Sequence, residues 1–529
     1  MKIIILAALL FSLQSIGFAQ NNSANKQIGT VLDYIDQFYV DDVDKNELAE
    51  VAIKSMLKEL DPHSVYISKE EVEQMNEPLV GNFEGVGIQF NILNDTILVV
   101  ATIAGGPSEK VGVLAGDRIV IIDGEKVVGI GISNKGVVER LRGAKNTEVE
   151  VEIKRDGVKK LLDFKIVRDK IPIFSVDAAY MINNYIGYIK VNRFAAKTPE
   201  EFVDALEKLK ADGMTDLILD LQGNSGGYLN AAFRMTDELL DSDKLIVYTE
   251  GKSSPRNEMK ATAYGHYEGG NIVVLIDQYS ASASEIMSGA IQDWDRGIVI
   301  GRRSFGKGLV QRPLPLPDGG QIRLTIANYY TPSGRFIQKP YNEGLDSYRK
   351  DISNRFSSGE LTDSLLKEYP DSLKFNTSNG RIVYGGGGIT PDIYVPLDTT
   401  FNTNFYAQAL RKGLINKFTL EYSNRHRNEL TNYYPNVQDF DKNFMADDEF
   451  MGEFLEYCKT EKMDIDSGQV EKSSPVLGLQ LKALIARNLY NGEAYYYVFN
   501  KEMNHSFLKA VEAIENNWFK KYNVTWTKK

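Results

Sequence analysis

The chain has 529 residues, 43% of them hydrophobic and 25% charged, a globular makeup with room for several packed cores. A formal net charge of −11 argues against a nucleic-acid partner, because phosphate neutralisation needs a basic face. Cys458 is the sole cysteine, so no internal disulfide is available, and the four histidines stand too far apart in the chain for a metal site.

Residues 1–19 join an early Lys2 to an apolar stretch and a small residue, Ala19, at a cleavage position. This reads as a secretory signal peptide and predicts an exported protein, periplasmic or secreted, or peripherally attached to a membrane. An uncleaved anchor is the competing reading. Residues 20–82 form an N-terminal helical region. Ile28, Val31, Leu32, Ile35 and Phe38 make one stripe, and Asp44 to Glu47 is a capping box for a second helix. A stripe of this kind predicts a packing or dimerisation arm.

Between 83 and 168 the texture changes to short alternating runs separated by turns such as Asp123-Gly124 and Asp156-Gly157. "GVGIQF" (85–90) followed by "GVLAGDRIVIIDGEKV" (112–127) resembles a PDZ domain. Such a domain adds a peptide strand to a sheet edge and captures its terminal carboxylate on backbone amides, here those of Gly85, Val86, Gly87 and Ile88. The competing reading is a glycine-rich hairpin with a structural role.

Residues 169–400 alternate apolar strands with helical stretches: "IGYIKV" (186–191), "PEEFVDALEKLK" (199–210), "TDLILDL" (215–221), "KLIVYTE" (244–250), "IVVLID" (272–277) and "IVI" (298–300). That alternation predicts crossover units and an α/β core whose sheet is covered by helices. The insert 340–380, rich in Ser, Asp, Asn and Lys, reads as a surface excursion. From 401 to 529 the chain is helical and aromatic-rich. Ser474 and Pro475 are expected to open a helix whose face carries Leu477, Leu481, Leu484, Ile485 and Leu489.

Ser282 follows a strand and opens a helix, which places a hydroxyl beside unpaired backbone amides; the duller reading is that "SASE" (282–285) is a capping box, with Ser282 and Glu285 as a mere helix cap. Lys307 lies between Gly306 and Gly308, after the next strand. A hydroxyl becomes a nucleophile when a neutral amine takes its proton. For a lysine this requires lowering the pKa by ~3 units, worth about 4 kcal/mol, which burial in a largely apolar pocket would supply. Gln311 is four residues further on, an even spacing that puts both side chains on one face of a strand, where the amide is placed to hold the amine without neutralising it. Ala283 and a glycine of the pair Gly226 and Gly227 are expected to donate to a developing oxyanion.

Together, "SASASE", "FGKGLVQ", "DLQGNSGG", "GYIKV" and "GGGGITPDI" (385–393) resemble the carboxyl-terminal processing peptidases, the tail-specific protease family, over roughly residues 28–400. The resemblance implies a spiral α/β core related to crotonase-like proteins, with an inserted PDZ domain that binds substrate C-termini. It implies Ser282 as nucleophile, Lys307 as general base and Gln311 as its orienting partner. Cleavage of proteins or peptides with apolar C-termini follows, through an acyl-enzyme and with no metal or nucleotide. A homo-oligomer or an adaptor remains open. The chain departs from the family's loop at Gln222, where an arginine is usual, and at Ser225, where a proline is usual. Asp293, 11 residues beyond the serine, reads as helix surface or structural partner.

Two rivals remain. "GRRSFGKG" (301–308) matches a phosphate loop except at its last position, but Pro313, Pro315 and Pro317 forbid the helix that should follow. A catalytically inactive PDZ scaffold is the alternative function.

Overall fold

The apolar runs too short for amphipathic helices become the central sheet. Its strands run in the order Val176–Met181, Ile186–Val191, Asp216–Asp220, Ile272–Ile276, Ile298–Gly301 and Ile393–Tyr394. The first pair is antiparallel and the rest are parallel. Every residue of the four inner strands is buried, as expected of strands covered on both faces. The computed structural model describes residues 23–103, 105–267, 269–363 and 369–524, so the signal-peptide reading lies outside the described residues.

One face packs on the helices Thr198–Ala211, Leu229–Asp237 and Ala283–Asp293, through Phe202, Leu206, Met235 and Ile286. The other face is closed from far along the chain: Phe507, Ala510 and Ile514 of helix His505–Glu515 meet Tyr188, Ile218 and Val273. The last helix of the tail thus completes the peptidase core.

A second, antiparallel sheet orders Val65–Ile67, Gln321–Tyr330, Leu245–Gly251 and Ser254–Lys260, with Leu309–Pro315 also paired to Gln321–Tyr330. "KLIVYTE", read as part of the alternating α/β series, belongs here instead. Its alternation of strand and helix gave no hint of pairing direction. The strand Val65–Ile67 pairs with Gln321–Tyr330 and so fastens the N-terminal region to the peptidase core.

The PDZ sheet orders Ile88–Leu93, Thr96–Thr102, Arg118–Ile122, Glu148–Lys154 and Leu162–Val167, leaving Ile88–Leu93 at an edge. The chain enters and leaves this module along one antiparallel ribbon, Asn82–Gly85 against Asp169–Pro172. Arg142, just past helix Asn134–Leu141, donates to Glu77 at 2.7 Å and ties the module to helix Lys69–Val80.

The N-terminal helix spans 23–38, and Asp44 caps the next, Lys45–Lys58, through the Asn46 amide at 2.7 Å. Much of the apolar stripe is uncovered among the described residues: Val31 is 55% and Phe38 71% exposed, while Leu32 and Ile35 are half-buried.

The insert lies largely at the surface, as its composition suggests, but it is anchored inward at a few residues. Arg355 is buried, donates to Glu360 at 2.9 Å and holds the carbonyl of Arg303 at 2.6 Å. Arg355 and Glu360 are thus paired inward, whereas Glu343, Asp346, Arg349, Lys350 and Asp363 are exposed.

In the tail, Asp466 rather than Ser474 caps the long helix Ser467–Leu489, accepting from the Gln469 amide at 2.9 Å. Pro475 lies inside that helix, and Ser474 instead hydrogen-bonds back to the Val470 carbonyl at 2.8 Å. The expected face of Leu477, Leu481, Leu484, Ile485 and Leu489 is buried.

Candidate active site

Strand Ile272–Ile276 runs into a turn held by Asp277. Its Oδ1 accepts from the amides of Gly223 at 2.9 Å, Tyr279 at 3.0 Å and Ser280 at 3.1 Å. Ser282 ends this turn with φ 55°, in the region L-residues avoid, immediately before helix Ala283–Asp293. Backbone strain of this kind costs about 1–3 kcal/mol and persists only where the surroundings over-determine it.

The surroundings do so through Glu285, which is fully buried. Its Oε2 accepts from the Ser282 amide at 2.7 Å and the Lys307 amide at 2.9 Å. Its Oε1 accepts from the Gly306 amide at 2.7 Å and the Ser304 hydroxyl at 2.5 Å. One carboxylate therefore pins the serine turn and the lysine loop together. Burial raises its pKa, and the four donors act against that rise without cancelling it. From the opposite sheet, the Tyr329 hydroxyl lies 3.1 Å from the Ser282 carbonyl and also bonds the Lys307 carbonyl.

Lys307 stands in the loop before strand Leu309–Pro315, not on the strand, and the register shifts between Val310 and Gln311. Even so, its Nζ donates to Gln311 Oε1 at 2.8 Å. Burial holds the ammonium below its ordinary range, with Arg323 adding to the effect; Glu285 and Asp61 act against it. The pocket is therefore buried as expected, but charged groups surround it where an apolar lining was anticipated.

The N-terminal region supplies a component that its sequence does not announce. The Gln311 side-chain amide donates to the carbonyl of His63, fixing which end of the amide faces the lysine. The His63 ring, 2.7 Å from the Tyr348 hydroxyl, is driven down to about 4 by burial and then by the charge of Lys307. Asp61 builds this corner, accepting from the amides of His63 at 2.8 Å and Ser64 at 2.9 Å and from the Thr325 hydroxyl at 3.1 Å.

Gly226 packs directly on the serine: a Cβ there would lie 2.9 Å from that of Ser282 and 3.1 Å from the Ala283 amide nitrogen. Its own N–H is spent on Asn224 Oδ1 at 2.9 Å. The amides of Ala283 and Gly227 have no acceptor among the described residues. Buried Asn224 holds the two loops together, its carbonyl accepting from the Ala281 amide at 3.0 Å and the Ser284 hydroxyl at 2.8 Å. Gln222 turns away, towards Asn504 of the tail at 3.1 Å. Asp293 is a structural partner: it is buried and takes Arg335 at 2.5 Å. Residues 309–315 continue from the GRRSFGKG segment as strand rather than helix, which removes the phosphate-loop reading.

In the PDZ module, Gly85, Val86 and Gly87 are buried and Ile88 is half-buried. The Val86 carbonyl accepts from the amide and hydroxyl of Ser108, at 3.0 and 2.7 Å, while the amides of Val86 and Gly87 have no acceptor among the described residues. Gly87 has φ 75°.

Family models match in four places: peptidase family S41 over 185–346, a PDZ domain over 85–166, the activating protease CtpB N-terminal domain over 12–71 and a family of unknown function over 405–491. A carboxy-terminal-processing protease of Bartonella bacilliformis is 38% identical over 339 residues, 63% of this chain and 77% of that protein. The chain belongs to the carboxy-terminal processing protease family. It is a serine-type peptidase of the S41 class carrying a PDZ domain. Carboxy-terminal processing protease CtpB of Bacillus subtilis is 33% identical, covering 68% of this chain and 74% of its own length. A photosystem II D1 C-terminal processing protease of known structure shares 28% identity over 57% of this chain and 81% of that one, with a TM-score of 0.33. Tyr329, Asp61 and the His63 carbonyl are the site components that sequence reasoning passed over; Glu285 was read only as a helix cap.

Proposed function

We propose that the protein is an exported endopeptidase in which Lys307 deprotonates Ser282. A substrate's apolar C-terminal tail adds to the edge strand Ile88–Leu93, with its carboxylate on the amides of Gly85 to Ile88. The Ser282 oxygen attacks the scissile carbonyl carbon as its proton passes to neutral Lys307. The resulting oxyanion is held by the amides of Ala283 and Gly227. Gly226 serves by its lack of a side chain, since its amide is already engaged. Lys307 then delivers the proton to the leaving amine, leaving an ester on Ser282. Water hydrolyses that ester with Lys307 again as base. Gln311, oriented by the His63 carbonyl, keeps the amine aimed without adding charge.

The observation that carries this reading is the single buried Glu285 carboxylate joined to both the Ser282 and Lys307 amides. Export rests on the residues 1–19 pattern alone, and attachment to a membrane, an adaptor and self-association are further parts of the proposal. The test is a peptide with a free apolar C-terminus against its amidated twin. The acid is expected to be cleaved at lower substrate concentration than the amide, and Ser282→Ala to bind the acid without cleaving it. Cleavage by Ser282→Ala, or equal handling of the two peptides, contradicts the reading.

A further inference from the structure

The loop that sets Gly226 against Ser282 presents its other end, Gln222 and Gly223, to a second cleft of about 700 Å³ between the peptidase sheet and the C-terminal helices. Neither Ser282 nor Lys307 lines it. Its floor is formed at the carboxyl ends of the parallel strands, the usual place for a ligand in such a sheet. Lys190 and Asp220 are register partners there. Asp277 follows Ile272–Ile276 directly, and Arg302 follows Ile298–Gly301. The roof is apolar and aromatic: Tyr406, Leu410, Val476, Tyr495 and Phe499. The size falls within the range of small-molecule sites and the position, between two domains, is where they gather.

Most of the floor's polar groups are engaged, although Asp277 accepts only on Oδ1 among the described residues. Lys190 is paired with Asp220 at 3.0 Å, and Asp220 also accepts from the Tyr188 hydroxyl at 2.7 Å and the Gln222 amide at 2.8 Å. Asp277 is occupied by the three turn amides. Asp398 takes the Thr400 amide at 2.8 Å and stands 3.9 Å from His505. Arg302 differs. It is only 8% exposed and forms no ion pair among the described residues. Its Nε donates to Gln278 at 2.7 Å and its Nη1 reaches the Val395 carbonyl at 3.5 Å, while Nη2 has no acceptor among the described residues. Its neighbour Arg303, by contrast, is bound by both oxygens of Glu360. Asp277 attracts this guanidinium from beyond ion-pair distance, and a carboxylate on the idle Nη2 would supply the direct pair it lacks.

We infer that this cleft binds an apolar monocarboxylate, its carboxylate on Arg302 and its chain against Leu410, Val476 and Phe499. Asp220, Asp277 and Asp398 surround the position and are offset in part by Lys190 and Arg302, so a singly charged, delocalised anion is opposed less than a phosphate with its higher charge. The carboxylate could be that of a free alkyl acid or that of an apolar peptide end; the chemistry is the same. This inference is independent of the role given to Lys307.

The test uses the full chain as Ser282→Ala, which prevents turnover, titrated with decanoate in a calorimeter. Decanoate is expected to bind and decylamine, the same chain with a cation, is not. Arg302→Gln should weaken decanoate by about tenfold or more through loss of the charge-assisted pair. Val476→Trp, which keeps Arg302 but fills the roof, should weaken it as well and decides the matter if Arg302→Gln fails to fold. Displacement of decanoate by an apolar tripeptide acid, and not by its amide, assigns the peptide source; lack of displacement assigns the alkyl acid. The inference is overturned if decanoate does not bind, if decylamine binds as well, or if a folded Arg302→Gln or Val476→Trp binds decanoate like the parent.

Discussion

The catalytic turn and the PDZ edge place their backbone donors in opposite ways. At Ser282 the surrounding polar groups are already committed: Glu285 to four donors, Asn224 to both loops, Tyr329 to two carbonyls. Among the described residues the amides of Ala283 and Gly227, beside the serine, are left without an acceptor for a substrate to use. At Ile88–Leu93 a strand lies at the margin of its sheet, and the module joins the core through one ribbon and the Arg142–Glu77 pair. A site that stabilises a charge lasting only through a transition state gains from donors fixed beforehand. A site that reads a tail lets the ligand supply the missing strand. Rigidity and openness are thus assigned to separate modules of one chain.

The separation is broken most severely on the rigid side. Lys307→Ala should lower kcat by about a thousandfold or more, with tail binding unchanged, as measured by steady-state cleavage and by titration of the acid peptide. Glu285→Gln comes next. An amide nitrogen would face two N–H donors, so kcat should fall by about a hundredfold, and thermal unfolding should show a loss of roughly 3 kcal/mol from the broken buried network. If Glu285→Gln left both quantities intact, the turn would not be held in the way described.

The open side is sharpened by Gly87→Ala. Its φ of 75° disfavours any side chain, and the added Cβ would meet Ile171 Cδ1 at 3.0 Å and Pro107 Cδ at 3.2 Å. Tail affinity should drop about tenfold while kcat at saturating substrate holds, since the catalytic turn is untouched. An equal fall in kcat would show that the two modules are not separable.

Sequence reading went far where a residue's role is local. Ser282 at a strand-to-helix turn, the apolar strands of the parallel sheet and the PDZ edge are all written in neighbouring residues, and the structure has each of them in place. Gln311 was legible for a partly mistaken reason: Lys307 is off the strand, and a register shift carries the two side chains together. Glu285 was visible as a helix cap, but its second duty, gripping the amides of Gly306 and Lys307, depends on a loop arriving from another strand. Tyr329 comes from the second sheet and His63 from the turn before its strand Val65–Ile67, whose pairing with Gln321–Tyr330 sets their positions. No periodicity near His63 encodes that pairing. The insert was legible as surface chain, but not its anchors, because composition reports how polar a segment is and not which of its charges are matched within the fold, as Arg355 and Glu360 are.

The central claim is that an uncharged Lys307 serves as the base for Ser282, and fluorophosphonate labelling against pH tests it most directly. His63, held to about 4, stays neutral through the physiological range and should contribute no limb there. Lys307 is depressed by burial, so the reactive, deprotonated form is lost as pH falls through its lowered pKa and gained as pH rises. The account predicts a label on Ser282 whose rate climbs along one limb below the ordinary lysine range, and no such limb in Lys307→Met. A label on another residue, a limb at the ordinary lysine position, or an unchanged profile in Lys307→Met would contradict it.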